Sequence, residues 1–405
     1  MKTTVTITPS KLSGKISVPP SKSISHRALI CAALAKGRSE IANLLDCADT
    51  RATIDILKAL GAKITQDGKT TYVEGIENPS MEAVADCGES GSTLRFLMPV
   101  AAALGCKTKF EGRGKLPERP ITPYFTELVK NGISFESEKM PYIIKGRLRS
   151  GEYRIAGDIS SQFISGLLFA LPLLRGDSKI IITSPLQSKP YVDITAAELK
   201  RFGIFVSETE YGYFIKGGQS YKPSKTSVEA DMSQAAFFAA AAALGSDIEI
   251  EGLNLNSLQG DREILDVIDR SQGTAFDVSA AQIPDLVPIL TVLAALSRGT
   301  SHITDCGRLR IKECDRLAAI TCELNKLGAN VREYPDSLEI KGVDYLKGGV
   351  CHCHNDHRIS MSLAVAATCC TEPVTLIGTE CINKSYPDFF EDYISLGGQI
   401  NVINN

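Results

Sequence analysis

Leu57-Lys58-Ala59-Leu60-Gly61-Ala62-Lys63-Ile64 reads as the last turns of an amphipathic helix, stopped by a glycine and followed at once by the start of a strand. The same phrase returns as LVKNGISF at 128–135, LKRFGIFV at 199–206 and LNKLGANV at 324–331, with looser copies from Ile268 to Val278 and from Ile394 to Val402. Alternating with these are six segments of another kind, in which a polar start leads into small apolar residues. They run from Ser21-Lys22-Ser23 to Ala35, Glu89-Ser90-Gly91-Ser92 to Leu104, and Ser160-Ser161-Gln162 to Leu174. The other three run from Asp231-Met232-Ser233-Gln234 to Leu244, Pro284-Asp285 to Leu296, and Asp356-His357-Arg358 to Thr368. Successive small-residue helices are mostly spaced by roughly seventy residues, longer than a solenoid period, so each repeat is expected to be a small packed βαβ-like unit. Six such units make the chain.

A length of 405 residues predicts two domains of comparable size, each burying its own core. The apolar fraction of 43% and the charged fraction of 22% exclude a disordered or fibrous chain. The opening Thr3-Thr4-Val5-Thr6-Ile7-Thr8 alternates polar and apolar residues and predicts a strand rather than a secretory signal. The most apolar runs, Ala235 to Leu244 and Leu286 to Leu296, fall short of the ~20 residues that span a bilayer. A cytoplasmic protein without a membrane partner follows, with its twelve cysteines expected as free thiols. Cys351-His352-Cys353-His354 alternates its ligands along an extended segment, which sends them to opposite faces, so no metal site is expected there. A net charge of −3 argues against a nucleic-acid surface and makes any strong basic region local.

The charges gather at helix mouths. Gly14-Lys15-Ile16-Ser17-Val18-Pro19-Pro20 reads as a strand stopped by prolines, after which Ser21 and Ser23 can satisfy free backbone N–H groups while Lys22 and Arg27 add cationic donors. Gly88-Glu89-Ser90-Gly91-Ser92 permits close approach of backbone to a ligand, with Arg95 in the first turns that follow. Arg119-Pro120 is expected at a helix start. Ser160-Ser161-Gln162 sets three hydrogen-bonding side chains ahead of an apolar run. Arg308-Leu309-Arg310-Ile311-Lys312-Glu313-Cys314-Asp315-Arg316 holds the densest charge; if helical, Lys312 and Arg316 share a face, and Glu313 can pair with either or serve proton transfer. Asp356-His357-Arg358 and Asn383-Lys384 add further groups at the starts of the last two helical segments. Any one of these stretches alone reads as a cap or a solvated charge run. Together, Lys22, Arg27, Arg95, Arg119, Lys312, Arg316, Arg358 and Lys384 lie at the same end of their units, which predicts an electropositive cleft for a small polyanion.

In this order the motifs resemble the 5-enolpyruvylshikimate-3-phosphate synthase family across essentially the whole chain. The residues that carry the resemblance are Pro20-Ser21-Lys22-Ser23 with His26-Arg27, Glu89-Ser90-Gly91 with Arg95, Arg119-Pro120, Ser160-Ser161-Gln162 and Lys189-Pro190-Tyr191. Pro284-Asp285, Lys312-Glu313 with Asp315-Arg316, Asp356-His357-Arg358, and Lys384 with Pro387-Asp388-Phe389 complete the set. The resemblance implies an α/β (α+β) fold, a two-domain inside-out α/β barrel built of six βαβαββ-type units. One domain would comprise residues 1–14 and 226–405 and the other 15–225, with the active site in the cleft between them.

It also implies transfer of the enolpyruvyl group of phosphoenolpyruvate to the 5-hydroxyl of shikimate 3-phosphate. Ser23, Arg27, Ser160, Ser161, Gln162, Ser188, Asp285 and Lys312 would contact shikimate 3-phosphate, Tyr191 would line its ring pocket, and Lys22 would touch both substrates. Gly91, Arg119, Gln162, Arg316, Arg358 and Lys384 would form the phosphoenolpyruvate site. Asp285 would act as base toward the 5-hydroxyl, with Glu313 and Lys22 exchanging protons at the methylene and phosphate side. Some relatives carry Asn in place of Glu89 and of Arg308, which leaves those two positions without an assigned substrate contact. UDP-N-acetylglucosamine enolpyruvyl transferase shares fold and chemistry, but Ser160-Ser161-Gln162, Lys312-Glu313 with Arg316, and Asp356-His357-Arg358 favour the shikimate enzyme. A catalytically silent anion-binding scaffold is disfavoured by Lys22, Asp285 and Glu313. The expectation is a monomer acting on small molecules, with no cofactor, metal or nucleic acid.

Overall fold

The computed structural model describes residues 3–404. The chain divides into two compact units, one running to Pro19 and resuming at Ala230, the other spanning Pro20–Glu229. The chain thus changes unit at Pro19/Pro20 and again at Glu229/Ala230, a few residues beyond the expected positions 15 and 226. Each unit has its own hydrophobic core.

One repeat of the 20–229 unit explains the rest. Glu82–Asp86 runs parallel to Lys107–Glu111, and helix Gly91–Leu104 makes the crossover that a parallel pair requires. Helix Thr122–Lys130 then leads to the strands Ile133–Phe135 and Tyr142–Gly146, the second of which returns antiparallel against Lys107–Glu111. The spatial order is therefore first, second, fourth, third. Glu152–Ile155, Ser178–Ile182, Gly212–Ile215 and Val206–Thr209 repeat that order, as do Asp277–Ser279, Thr300–Thr304, Ser337–Lys341 and Asn330–Tyr334 in the other unit. Among the described residues the six repeats give five four-stranded sheets and one two-stranded sheet.

Three repeats borrow a strand from elsewhere in the chain. Ser13–Ile16 precedes helix Lys22–Leu34 in sequence, as Glu82–Asp86 precedes Gly91–Leu104, yet it pairs with Asp247–Ile250 in the 230–405 part. In return Lys225–Ser227, which precedes helix Met232–Ala243, pairs with Arg38–Ala42 in the 20–229 unit. The opening strands of two repeats have been exchanged at the two crossings, and Pro19-Pro20 at the first removes backbone donors and holds the chain extended. Thr3–Thr8 takes the fourth place in the last sheet, antiparallel to both Val374–Ile377 and Gln399–Asn404.

The two helix types differ because their surroundings differ. Lys22–Leu34, Gly91–Leu104, Ser161–Ala170, Met232–Ala243, Val287–Ala295 and His357–Ala367 are buried around most of their circumference, and the last two at every residue, so they need small apolar residues on all sides. At Gly166 a Cβ would come within 2.2 Å of Arg95 O and 2.3 Å of the Tyr124 hydroxyl, so only glycine lets those segments approach. The amphipathic helices bury a single stripe, Ile264, Val267 and Ser271 in Glu263–Ser271 for example. Each of the six is followed by a glycine at positive φ, Gly61, Gly132, Gly203, Gly273, Gly328 and Gly397, which is the left-handed stop that the repeated phrase encodes.

Two local expectations need correction. The stretch 308–316 is not one helix: a 3-10 turn covers Gly307–Ile311, the backbone turns away at Lys312 (ψ −148°), and helix Arg316–Lys326 starts anew with Asp315 as its cap. Lys312 and Arg316 therefore share no helix face. Arg119-Pro120 lies in extended backbone after the turn Leu116–Glu118, and the proline in the first turn of the following helix Thr122–Lys130 is Pro123. No helix among the described residues is long and apolar enough to cross a membrane.

Candidate active site

In the 20–229 unit most of the candidate residues sit at the polar starts of the small-residue helices, while Ser188 and Tyr191 belong to the start of the amphipathic helix Lys189–Arg201 and Arg119 to an extended segment. Ser21 caps Lys22–Leu34, Ser90 caps Gly91–Leu104 through the Thr93 amide at 3.2 Å, and Ser160 caps Ser161–Ala170. A capping hydroxyl accepts from the backbone and still has its own proton to give, which suits a phosphate oxygen. Lys22 Nζ donates to Asp49 Oδ2 at 3.2 Å, with both side chains largely buried.

Arg27 is 2% exposed and uses its guanidinium on neutral acceptors. Nε donates to the Thr195 hydroxyl at 2.8 Å, Nη1 to Ser23 O at 2.7 Å and Nη2 to Tyr191 O at 2.9 Å, while the plane lies over the Phe96 ring. Burial pulls its pKa down to about 10, far enough above neutrality for the charge to persist. Ser23, Arg27 and Tyr191 are thus brought together. Gln162 is joined to Ser92, its Nε2 donating at 2.8 Å, and accepts from Arg95 Nη1 at 2.7 Å. Arg95 also donates to Pro120 O at 3.0 Å, so it fixes Gln162 and the Arg119-Pro120 turn from behind. Gly91 abuts Arg119: a Cβ there would lie 2.8 Å from Cζ, Nη1 and Nη2 of the guanidinium. Ser161 is buried at its helix start; Ser188 is buried in left-handed backbone (φ 56°) at the start of Lys189–Arg201.

In the 230–405 part, acids and cations interlock. Arg316 is 2% exposed and meets three carboxylates: Nε donates to Asp356 Oδ2 at 2.7 Å, Nη1 to Asp285 Oδ1 at 3.0 Å and Nη2 to Glu313 Oε2 at 2.8 Å. Arg358 Nη2 donates to Asp285 Oδ2 at 2.8 Å and its Nη1 to Asp285 O at 3.3 Å. Burial opposes ionisation of Asp285, but Arg358, Arg316 and Lys312 outweigh it and hold the carboxyl well below the usual range. Asp261 is the counterpart. Burial first, and then the charge of Asp285, push it up to about 7, with the Ser233 hydroxyl donating to it. Lys384 Nζ donates to Asn355 O at 2.7 Å, next to the Asp356 cap.

Asp49 and Asp356 escaped the sequence reading as site residues. Asp49 stands in the first turn of helix Ala48–Ala59, where an acid complements the helix dipole, so its pairing with Lys22 leaves no mark in the sequence. Asp356 reads as the cap of His357–Ala367, and it is one, accepting the Arg358 amide at 2.9 Å. Its other oxygen holds Arg316, a contact 40 residues away in sequence. Cys351 and Cys353 are buried, His354 Nε2 lies 2.7 Å from Glu323 Oε1, and no group of acids, histidines and cysteines among the described residues is arranged to hold a metal ion.

Residues 7–393 match the family model for EPSP synthase (3-phosphoshikimate 1-carboxyvinyltransferase). A 3-phosphoshikimate 1-carboxyvinyltransferase of Clostridium perfringens is 48% identical over 418 residues, covering 97% of this chain and 98% of the relative. Its namesake from Clostridium kluyveri is 48% identical over 417 residues, covering 98% of each. Among solved structures, EPSP synthase from Acinetobacter baumannii superposes with a TM-score of 0.83 at 24% identity, covering 99% of this chain and 100% of that one. The enolpyruvyl transferase NikO from Streptomyces tendae superposes at 0.81 and 17% identity, covering 100% and 99%. At those identities the superpositions speak for the fold.

Proposed function

The chain belongs to the EPSP synthase family, and we infer from that membership that it transfers the enolpyruvyl group of phosphoenolpyruvate to the 5-hydroxyl of shikimate 3-phosphate. The products are 5-enolpyruvylshikimate 3-phosphate and inorganic phosphate. The observation that carries the site assignment is the knot of Arg316 and Arg358 on Asp285, with Glu313 in the same cluster. It supplies a base, a second carboxylate and two cations at one place, which is what addition to an enol phosphate followed by elimination requires.

The chemistry divides into two halves. As the shikimate oxygen bonds to C2 of phosphoenolpyruvate it loses its proton, and C3 gains one, giving a tetrahedral adduct. The adduct then expels phosphate while C3 gives up a proton to restore the double bond. Asp285 takes the hydroxyl proton; Glu313 and Lys22 exchange protons at the methylene and at the departing phosphate. Clasped by two arginines, Asp285 is a weak base. When the phosphate and carboxylate of phosphoenolpyruvate claim Arg316 and Arg358, the clasp loosens and the carboxylate becomes basic where it is needed.

Shikimate 3-phosphate is held by Lys22, Ser23, Arg27, Ser160, Ser161, Gln162, Ser188, Lys312 and Asp285, with Tyr191 beside its ring. Phosphoenolpyruvate is held by Lys22, Gly91, Arg119, Gln162, Arg316, Arg358 and Lys384. Their positive charge brings two highly anionic molecules to reacting distance. The enzyme works as a monomer in the cytoplasm, a reducing compartment that suits its free cysteines.

The test is product analysis by proton NMR. Both substrates together should give the paired vinylic signals of the enol ether and one equivalent of phosphate, and UDP-N-acetylglucosamine in place of shikimate 3-phosphate should give neither. Turnover of the nucleotide sugar would overturn the substrate assignment.

A further inference from the structure

Behind the mouths of helices Lys22–Leu34 and Gly91–Leu104 lies a chain of buried polar groups that the proposed reaction does not use. His26 Nδ1 is 2.8 Å from the Thr53 hydroxyl, which is 2.7 Å from the Thr93 hydroxyl. Thr93 Oγ1 in turn lies 2.7 Å from Ser90 Oγ and 3.3 Å from Asp49 O. His26, Thr53, Thr93 and Ser90 are all essentially inaccessible to solvent. The chain joins three helices, and both of its ends reach the site. Ser90 caps the helix that opens at Gly91, and Asp49 holds the Lys22 ammonium.

Counting protons gives the chain a direction. A carbonyl oxygen only accepts, so toward Asp49 O the single hydroxyl proton of Thr93 must point to the Asp49–Ser90 side. Thr93 then accepts from Thr53, Thr53 has no proton left for the imidazole, and His26 must donate from Nδ1. Burial, followed by the charges of Lys22 and Arg27, keeps this histidine neutral. Its lone pair therefore rests on Nε2, a buried nitrogen with no protein hydrogen-bond partner among the described residues.

We infer that Thr53 and Thr93 are positioning residues, whose hydroxyls, oriented by the Nδ1–H of His26, fix the Lys22–Asp49 pair against the mouth of the Gly91 helix. This rests on the reading of Lys22 and Gly91 as phosphoenolpyruvate contacts. The hydroxyls touch no substrate; they set the register between two groups that do.

Two measurements test it. In protein labelled with 15N-histidine, with His26→Asn identifying the signal, His26 should show a pyrrole-type Nδ1 and a pyridine-type Nε2, and Thr93→Val should reverse them because Thr53 then donates to Nδ1. An Nε2–H tautomer in the unaltered chain, or a tautomer indifferent to Thr93→Val, would overturn the inference. In steady-state assays Thr93→Val and Thr53→Val should each lower kcat/KM for phosphoenolpyruvate about tenfold, with the double variant no worse than the weaker single. Binding of shikimate 3-phosphate alone should change less than about twofold, and Thr93→Ser, which keeps the hydroxyl, should recover most of the loss. A merely structural role would lower the melting temperature and leave the phosphoenolpyruvate kinetics of the folded enzyme unmoved; that result would also overturn it. Absence of turnover in the unaltered chain would sink the functional reading instead, and the tautomer experiment, which needs no turnover, would still decide the proton direction.

Discussion

Two buried arginines of one unit and two of the other are held in opposite ways. In the 20–229 unit, Arg27 and Arg95 are gripped by carbonyls, a hydroxyl and an amide oxygen, groups that fix a guanidinium without cancelling its charge. In the 230–405 part, Arg316 and Arg358 are gripped by Asp285, Glu313 and Asp356, which neutralise them. The first arrangement is a standing positive field, suited to a ligand that brings a dianion and stays unchanged at that group. The second stores acids and bases beside the cations that tune them, suited to the ligand whose bonds are made and broken. A protein of net charge −3 can thus carry a strong anion site, because guanidinium groups such as that of Arg27 are held by neutral acceptors and keep their charge.

The largest expected effect comes from removing the arginine of each kind. Arg316→Leu would take a shared cation from three carboxylates in or near the interior and should cost about 3–5 kcal/mol of stability, whereas Arg27→Met takes a donor from neutral acceptors and should cost about 1–3 kcal/mol. Urea denaturation of the two variants measures the gap; equal losses would break the contrast between the units. Arg27→Met should act instead on affinity for shikimate 3-phosphate.

Gly91→Ala sharpens the contrast from the ligand side. A Cβ at that position meets the tip of Arg119 at 2.8 Å, a flexible group that can yield, so stability should barely change. The displaced guanidinium should raise KM for phosphoenolpyruvate by about tenfold, with little effect on shikimate 3-phosphate. A parallel rise for both substrates in initial-rate measurements would contradict the assignment of Arg119.

The smallest effect is a pH dependence confined to the acid-rich half. An unfolded aspartate titrates near 4, while burial and Asp285 hold Asp261 up to about 7 in the fold. The folded chain binds that proton more tightly, so the stability it brings is complete below about pH 4 and is lost as pH rises through 7. Asp261→Asn keeps a neutral side chain at every pH. Its melting temperature relative to the unaltered chain should therefore be higher at pH 8 than at pH 5, by a few degrees. An offset independent of pH would mean that Asp261 is already ionised at the lower pH.

Much of the architecture was legible because it is local. The stops at Gly61, Gly132, Gly203 and Gly328 are consequences of backbone conformation that a few adjacent residues impose, and the small-residue helices announce burial by their composition. The exchanged strands were not legible: nothing in Ser13–Ile16 or Lys225–Ser227 distinguishes a partner in one unit from a partner in the other, since strand pairing depends on the whole fold. In the site, Lys22, Arg27, Arg95, Arg316 and Arg358 could be named from their places at or near helix starts, whereas Gly91 came from the family resemblance. What the cations touch could not. Arg316 finds Asp356 and Asp285, 40 and 31 residues away, and Lys22 finds Asp49, contacts made by tertiary packing between helices. The face-sharing expected of Lys312 and Arg316 failed because Asp315 caps a helix of its own and breaks the run at Lys312.

The central claim is that the Asp285 knot and Lys22 carry the proton transfers of enolpyruvyl transfer. Phosphate release from shikimate 3-phosphate and phosphoenolpyruvate, followed in Lys22→Ala and Asp285→Ala beside the unaltered chain, tests it most directly. The account predicts no release when either substrate is omitted, and a fall in kcat on the order of a thousandfold in each variant. Full activity in both variants would contradict it.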